Sequence, residues 1–352
     1  MDDEIIDLYL GRPSGKRMWT DFLTSLGIHN FSDKEIKQID FTVGLKHDGK
    51  LVATGSVAGN VLKYIAVCNK GAVPGARFAQ LISELISRQF QRGVYHLFVF
   101  TKLRYVSSFE HAGFKTLAQS DYGAFLENGT PDVHDYLSAI PRIPQQAEKK
   151  VAGIVMNANP FTLGHRYLVE QAAKANDLVY LFVVNTDASL FTTAERMTLV
   201  QAGVADLTNV MVVNGGYYMV SYVTFPAYFL KTPDDEIAYQ TELDARIFRD
   251  VIAPTLNIKT RYVGSEPLSH TTHIYNQVLV RELPPLVAMQ VITRRQVGEQ
   301  GYITATEVRR CIQENDLATI ETLVPTTTLA FIKQHISDLQ ARIVAGQQIS
   351  GN

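Results

Sequence analysis

The stretch Val151-Ala152-Gly153-Ile154-Val155-Met156-Asn157-Ala158-Asn159-Pro160-Phe161-Thr162-Leu163-Gly164-His165 decides the fold of the chain's second half. Residues 151–156 form an apolar run of strand length, and a helical pattern follows over 165–175. The same rhythm recurs: apolar runs at 178–184, 210–213, 259–263 and 286–292, with helical patterns at 194–202, 241–252 and 270–281. Strands alternating with helices predict a doubly wound parallel sheet. An amphipathic helix over 326–344 closes the chain. Asp234-Asp235-Glu236 suits a helix N-terminus, and Tyr217-Tyr218-Met219 is read as packing.

In an open α/β sheet, ligands collect at the carboxyl ends of strands. The loop 157–164 sits at such an end and leads into a helix, whose first N–H groups and dipole favour an anion. Gly164 permits close backbone approach, and Pro160 stiffens the turn. Thr162 and His165, three residues apart, would stand near one phosphate in a first helical turn, both able to donate. The alternative is an ordinary loop in which His165 caps or packs. Its place after the first strand of a βα series favours the phosphate site.

Thr162-Leu163-Gly164-His165 resembles the T/H-x-G-H signature of the nucleotidyltransferase superfamily. Ile303-Thr304-Ala305-Thr306-Glu307-Val308-Arg309 is similar to its I-S-x-S-x-I-R segment, which opens a helix over the ATP phosphates. Thr in place of Ser keeps both hydroxyls, although either would also cap a surface helix. Phe191-Thr192-Thr193-Ala194-Glu195-Arg196 resembles the segment whose Arg helps orient substrate or nucleotide; Glu195 and Arg196 read equally as a solvated helix face. Val263-Gly264-Ser265-Glu266-Pro267, followed by Thr272 and Tyr275-Asn276, resembles the nucleotide-side loop after a late strand. With Phe225-Pro226-Ala227-Tyr228-Phe229-Leu230-Lys231 and Leu323-Val324-Pro325-Thr326-Thr327-Thr328, the second half resembles the citrate lyase ligase family.

That resemblance implies a Rossmann-like, HIGH-type nucleotidyltransferase domain and an ATP-dependent, AMP-forming acid–thiol ligase. The implied reaction activates acetate as acetyl-adenylate. It then acetylates the thiol of a phosphoribosyl-dephospho-CoA group on the acyl carrier subunit of citrate lyase. Thr162, His165 and Arg309 are the implied catalytic residues. Asn157, Asn159, Pro160, Phe161, Gly164, Arg196, Gly264, Ser265, Glu266, Ile303, Thr304 and Thr306 would bind ATP. Mg²⁺ would be held by substrate and water, with no protein metal site. Two alternatives stand: an adenylyltransferase of cofactor biosynthesis with a mononucleotide or phosphopantetheine acceptor, and a non-catalytic partner-binding protein.

The first half is expected to be an α+β domain over 1–127, joined by a linker over 128–150 to the catalytic domain at 151–352. Asp48-Gly49 between apolar runs predicts a hairpin, and the period Phe78, Leu81, Ile82, Leu85, Ile86 predicts a helix. Phe98 to Thr101, leading through Phe109-Glu110-His111-Ala112-Gly113-Phe114, is similar to the close of an N-acetyltransferase fold. Lys70 to Arg77 does not fit the Q/R-x-x-G-x-G/A pyrophosphate loop, and Pro74 removes an N–H. Docking of the protein partner is the role expected of this half instead.

Composition narrows the classes further. With 352 residues, 33 basic against 35 acidic side chains and a net charge of −2, a dedicated nucleic-acid binder is disfavoured. Cys68 and Cys311 make neither a disulfide framework nor a zinc cluster, and His270 with His273 lacks a third ligand. The acidic start Met1-Asp2-Asp3-Glu4 is unlike a secretory signal, and no apolar run reaches the roughly 18–20 residues of a spanning helix. A cytoplasmic protein without nucleic-acid or membrane partners is expected.

Overall fold

The computed structural model describes residues 3–29, 31, 33–185, 189–219, 233–265, 270–294 and 302–347. The chain divides into two units, Met1–Tyr136 with Phe225–Tyr239, and Leu137–Thr224 with Gln240–Asn352. In the first, the strands are β1 (Glu4–Asp7), β2 (Phe41–His47), β3 (Lys50–Ala58), β4 (Val61–Val67), β5 (His96–Thr101), β6 (Lys115–Gln119) and β7 (Ala124–Gly129). They form one sheet in the order β1-β2-β3-β4-β5-β7-β6. Its helices are α1 (Pro13–Ser25), α2 (Asp33–Ile36), α3 (Ala76–Gln91), α4 (Val106–His111) and α5 (Val133–Ser138).

The expected hairpin forms because Asp48 and Gly49 take φ of 49° and 73°, the pair of positive values a type I′ turn requires. The face of α3 carrying Leu81, Ile82 and Leu85 packs on Val43, Leu45, Ala53 and Val57. β4 and β5 pair in parallel through Val61–Phe98 and Leu62–Val99, and the other neighbours are antiparallel. The loop before α3 turns around Arg77, whose guanidinium donates to the Cys68 and Lys70 carbonyls and to Asp3. Residues 128–150 are partly structured: Asn128 and Gly129 end β7, and α5 follows.

The second unit contains β8 (Val151–Met156), β9 (Leu178–Val183), β10 (Val210–Asn214), β11 (Ile258–Gly264) and β12 (Ala288–Ile292). All pair in parallel, in the order β10-β9-β8-β11-β12. The helices are α6 (Leu163–Ala175), α7 (Thr193–Gly203), α8 (Pro233–Ile247, whose residues up to Tyr239 fall in the first unit), α9 (Ala253–Thr255), α10 (His270–Glu282), α11 (Ala305–Glu314), α12 (Leu317–Leu323) and α13 (Thr326–Val344). α8 starts well ahead of the expected residue 241, and 248–252 is a π-helical turn, so the pattern at 241–252 misplaced that helix. The apolar period missed its first turns, whereas Asp234-Asp235-Glu236, read as a helix N-terminus, does fall in the first turn of α8.

Side-chain alternation along β8 sorts the two faces. Ala152, Ile154 and Met156 enter the core with Val169 of α6, Val200 of α7, Val308 of α11 and Ile332 of α13. Gly153 points the other way: a Cβ there would stand 2.8 Å from Phe248 Cζ. Every residue of β9 is buried, as a strand covered on both faces should be. The doubly wound expectation holds. Among the described residues, no helix is long and apolar enough to cross a membrane.

Phe161, fully buried, leaves no room at Gly203, where a Cβ would lie 2.5 Å from its ring. Gly203→Ala should therefore cost about 1–3 kcal/mol by overpacking. The expected result is a lower urea midpoint at unchanged m-value.

Candidate functional site

The sheet order reverses between β8 and β11, and a cavity of about 510 Å³ opens there at the carboxyl ends of both strands. This is the topological switch point at which α/β sheets bind ligands. Its wall includes Asn157, Asn159, Thr162, Gly164 and His165 from the loop after β8. Gly264 from the end of β11, Thr272, Tyr275 and Asn276 from α10, and Arg294 beyond β12 also face it. Ile303, Thr304, Thr306 and Arg309 complete it.

Ala158 carries φ of 52°, a region that costs an L-residue about 1–2 kcal/mol. Three distant groups hold that turn. Arg309 Nη1 donates to the Asn159 carbonyl at 2.5 Å, Arg196 Nη1 to the Asn157 carbonyl at 2.8 Å, and the Phe191 N–H to Asn159 Oδ1 at 3.1 Å. Arg309 is fully buried and also donates to Thr306 Oγ1 at 3.0 Å, so it joins α11 to the β8 loop.

Thr162 is the N-cap of α6. Its hydroxyl accepts from the His165 N–H at 3.3 Å, while its own N–H donates to His165 Nδ1 at 3.1 Å. Histidine thus takes the carboxylate's place in a capping box. Nδ1 must be unprotonated to accept, so Nε2 carries the imidazole's proton. The Phe161 ring lies nearly parallel to the imidazole, centroids 5.9 Å apart. Burial, then the Arg294 and Arg309 cations, push the His165 pKa down to about 4. The imidazole is therefore a neutral N–H donor at neutral pH.

Thr304 caps α11 in the same way, accepting from the Glu307 N–H at 3.1 Å. Gly164 and Ile303 lie side by side; a Cβ on Gly164 would meet the Ile303 carbonyl oxygen at 3.5 Å, an ordinary contact. The protein's own packing thus tolerates alanine at 164, and the bare glycine leaves space on the cavity side. Two helix N-termini, two guanidinium groups and a neutral N–H donor face one space with no carboxylate in its described wall. Such a set fits a polyanion.

The structure does not bring every expected residue to the cavity. Pro160 and Phe161 are buried behind it. Arg196 is fully enclosed and donates to Phe191 O, Asn157 O, Val184 O and Thr193 Oγ1, so both the solvated-face reading and direct nucleotide contact give way to an internal brace. Its neighbour Glu195 pairs with Arg342 at 2.7 Å. Ser265 stands behind Arg294, its carbonyl accepting from Nε at 2.7 Å and its hydroxyl from the backbone N–H at 3.1 Å. Glu266 and the string 225–231 lie outside the described residues. Arg294 escaped the sequence reading, although an arginine just past a strand's carboxyl end was the available signal.

The family model described as citrate lyase ligase C-terminal domain matches residues 151–332. The chain is 34% identical over 318 residues to the citrate (pro-3S)-lyase ligase of Escherichia coli (strain K12), covering 88% of this chain and 89% of that protein. It is 36% identical to the Klebsiella pneumoniae protein of the same name, covering 82% and 85%. Among solved structures, an N-acetyltransferase from Staphylococcus aureus Mu50 aligns over 37% of this chain and 98% of its own, at 15% identity and a TM-score of 0.31.

His165 also sets a pH dependence. Below the ordinary value of 6.5, the unfolded chain takes up a proton that the folded site refuses until about pH 4. Stability should therefore fall as pH drops through that window and be indifferent to this group above it. His165→Gln should reduce the loss of urea midpoint between about pH 7 and about pH 5 relative to wild type.

Proposed function

The chain belongs to the citrate lyase ligase family, and on that premise we propose that it is an ATP-dependent, AMP-forming ligase that acetylates citrate lyase. The acetyl group passes from acetate, through acetyl-adenylate, to the prosthetic thiol on the lyase's acyl carrier subunit. The observation that carries this reading is the cavity at the β8–β11 switch point, with no carboxylate among its described lining residues, where the starts of α6 and α11 meet.

Two displacements make up the reaction. An acetate oxygen attacks the α-phosphorus of ATP, the bond to the β-phosphate oxygen breaks, and pyrophosphate leaves. The thiolate then attacks the acetyl carbonyl, and AMP departs with the electron pair of the mixed-anhydride bond. Both nucleophiles come from substrates, so the protein's task is alignment and stabilisation of charge. On this reading His165 Nε2–H and the first N–H groups of α6 and α11 donate to phosphate oxygens; their shared position at the cavity wall supports it. Arg294 supplies positive charge at the wall. A neutral imidazole suits the first step: it donates a hydrogen bond and adds no third cation beside Arg294 and Arg309. Thr162 acts by holding that imidazole, and Arg309 by holding the loop that carries it.

A divalent ion fits this wall only through its ligand. With no carboxylate among the described lining residues, Mg²⁺ would be bound mainly by phosphate oxygens and water, neutralising charge on the leaving group.

His165→Ala should lower acetate-dependent pyrophosphate release roughly 10²–10³-fold, the usual consequence of losing one preorganised donor. Near wild-type release would remove His165 from the mechanism. AMP formation should require both acetate and the thiol form of citrate lyase; a dinucleotide product instead would identify an adenylyltransferase. Gly164→Ala should fold normally yet bind ATP more weakly, as measured by calorimetry.

A further inference from the structure

Arg261 on β11 and Asp244 on α8 are each 1% exposed and pair at 3.2 Å. The Tyr275 hydroxyl closes a triangle with them, donating to Asp244 Oδ2 at 2.9 Å and accepting from Arg261 Nη2 at 2.6 Å. The guanidinium carbon lies 4.4 Å from the centre of the Phe248 ring, at the start of the π-helical turn. Gly153, beside Arg261 in the parallel register, leaves room for that ring.

For stability alone this is a poor arrangement. A buried ion pair recovers its desolvation cost only when the remaining protons find acceptors. Arg261 Nε and Nη1 have none among the described residues. Apolar side chains of similar volume usually serve a core at least as well. What the pair does hold is Tyr275, whose side chain forms part of the cavity wall. Burial keeps the phenol protonated, and its oxygen is occupied by Arg261 and Asp244.

We infer that Arg261 and Asp244 are positioning residues that act through Tyr275, fixing its ring as the surface against which the nucleoside end of the nucleotide lies. The inference rests on the ATP reading above. The phosphate donors gather where Gly164 meets Ile303 and where Arg309 reaches Asn159. α10 rises instead from β11, and Asn276 Nδ2 ties it to the Gly264 carbonyl at 3.1 Å. An aromatic ring whose hydroxyl is occupied offers its face and edge, which suit a heterocycle. A bare polyphosphate gains nothing from it.

The test is calorimetry of the full chain with two probes, ATP and inorganic tripolyphosphate, alongside thermal melting. Tyr275→Leu should weaken ATP binding about tenfold, as loss of one base–aromatic stack does, and leave tripolyphosphate within about twofold. Arg261→Met/Asp244→Leu should reproduce most of the ATP loss at a Tm equal to or above wild type. Tyr275→Phe, which removes only the anchored oxygen, should fall between wild type and Tyr275→Leu. Equal loss on both probes, or a folded double variant that binds ATP like wild type, overturns the inference. Should the double variant fail to fold, wild-type ATP affinity in Tyr275→Phe overturns it alone. A wild-type chain that binds neither probe overturns the ATP reading, and this inference with it.

Discussion

A helix start leaves its first N–H groups without helical acceptors, and the second unit turns two such starts onto one space. α6 and α11 are far apart in the chain, yet their N-caps Thr162 and Thr304 line the same cavity. Side chains satisfy one N–H at each start, those of His165 and Glu307. The remaining donors call for oxygen, and the wall's described residues offer no carboxylate to supply it. A polyanionic ligand meets that demand, and the polarised helix ends add charge that is fixed in place before any ligand arrives.

Holding two helix starts in register takes more than packing. Here guanidinium groups bonded to carbonyls do much of it: Arg309 reaches from α11 to Asn159, and Arg196 from α7 to Asn157 and Val184. Because each arginine stays charged and its fork spans several acceptors, these bonds fix both distance and angle. They also explain how Ala158 persists at positive φ, since strain of that kind survives only where surroundings over-determine it. The same residue type serves a different end beneath Tyr275, where Arg261 is only partly satisfied and its pairing with Asp244 orients an aromatic wall.

His165 links these layers. Its Nδ1 completes a cap, its ring lies nearly parallel to Phe161, and desolvation with neighbouring cations keeps it neutral. One imidazole therefore sets the geometry of the α6 start and presents an N–H to the ligand space. The cost is acid sensitivity, because a half-buried imidazole, desolvated and beside two arginines, resists the proton that the unfolded chain accepts.

Local patterns in the chain were enough to determine the alternation of β8 to β12 with their helices, the Asp48-Gly49 turn, and the loop 157–165 as part of the wall at a strand's carboxyl end. Each follows from apolar periodicity, turn preference or the rule that ligands meet strand ends, and none needs a distant partner. β1 went unseen because its Glu-Ile-Ile-Asp segment lies mostly exposed and shows little alternation. Only tertiary structure decided which arginines face the ligand space: Arg196 turned inward as a brace, and Arg294 came to the wall from beyond β12. Likewise the triangle of Arg261, Asp244 and Tyr275 joins three elements that no local window contains. Spacing along a chain reports which backbone conformation each residue favours. Whether a buried guanidinium finds carbonyls or a ligand depends on acceptors brought in from elsewhere, and folding alone assembles those.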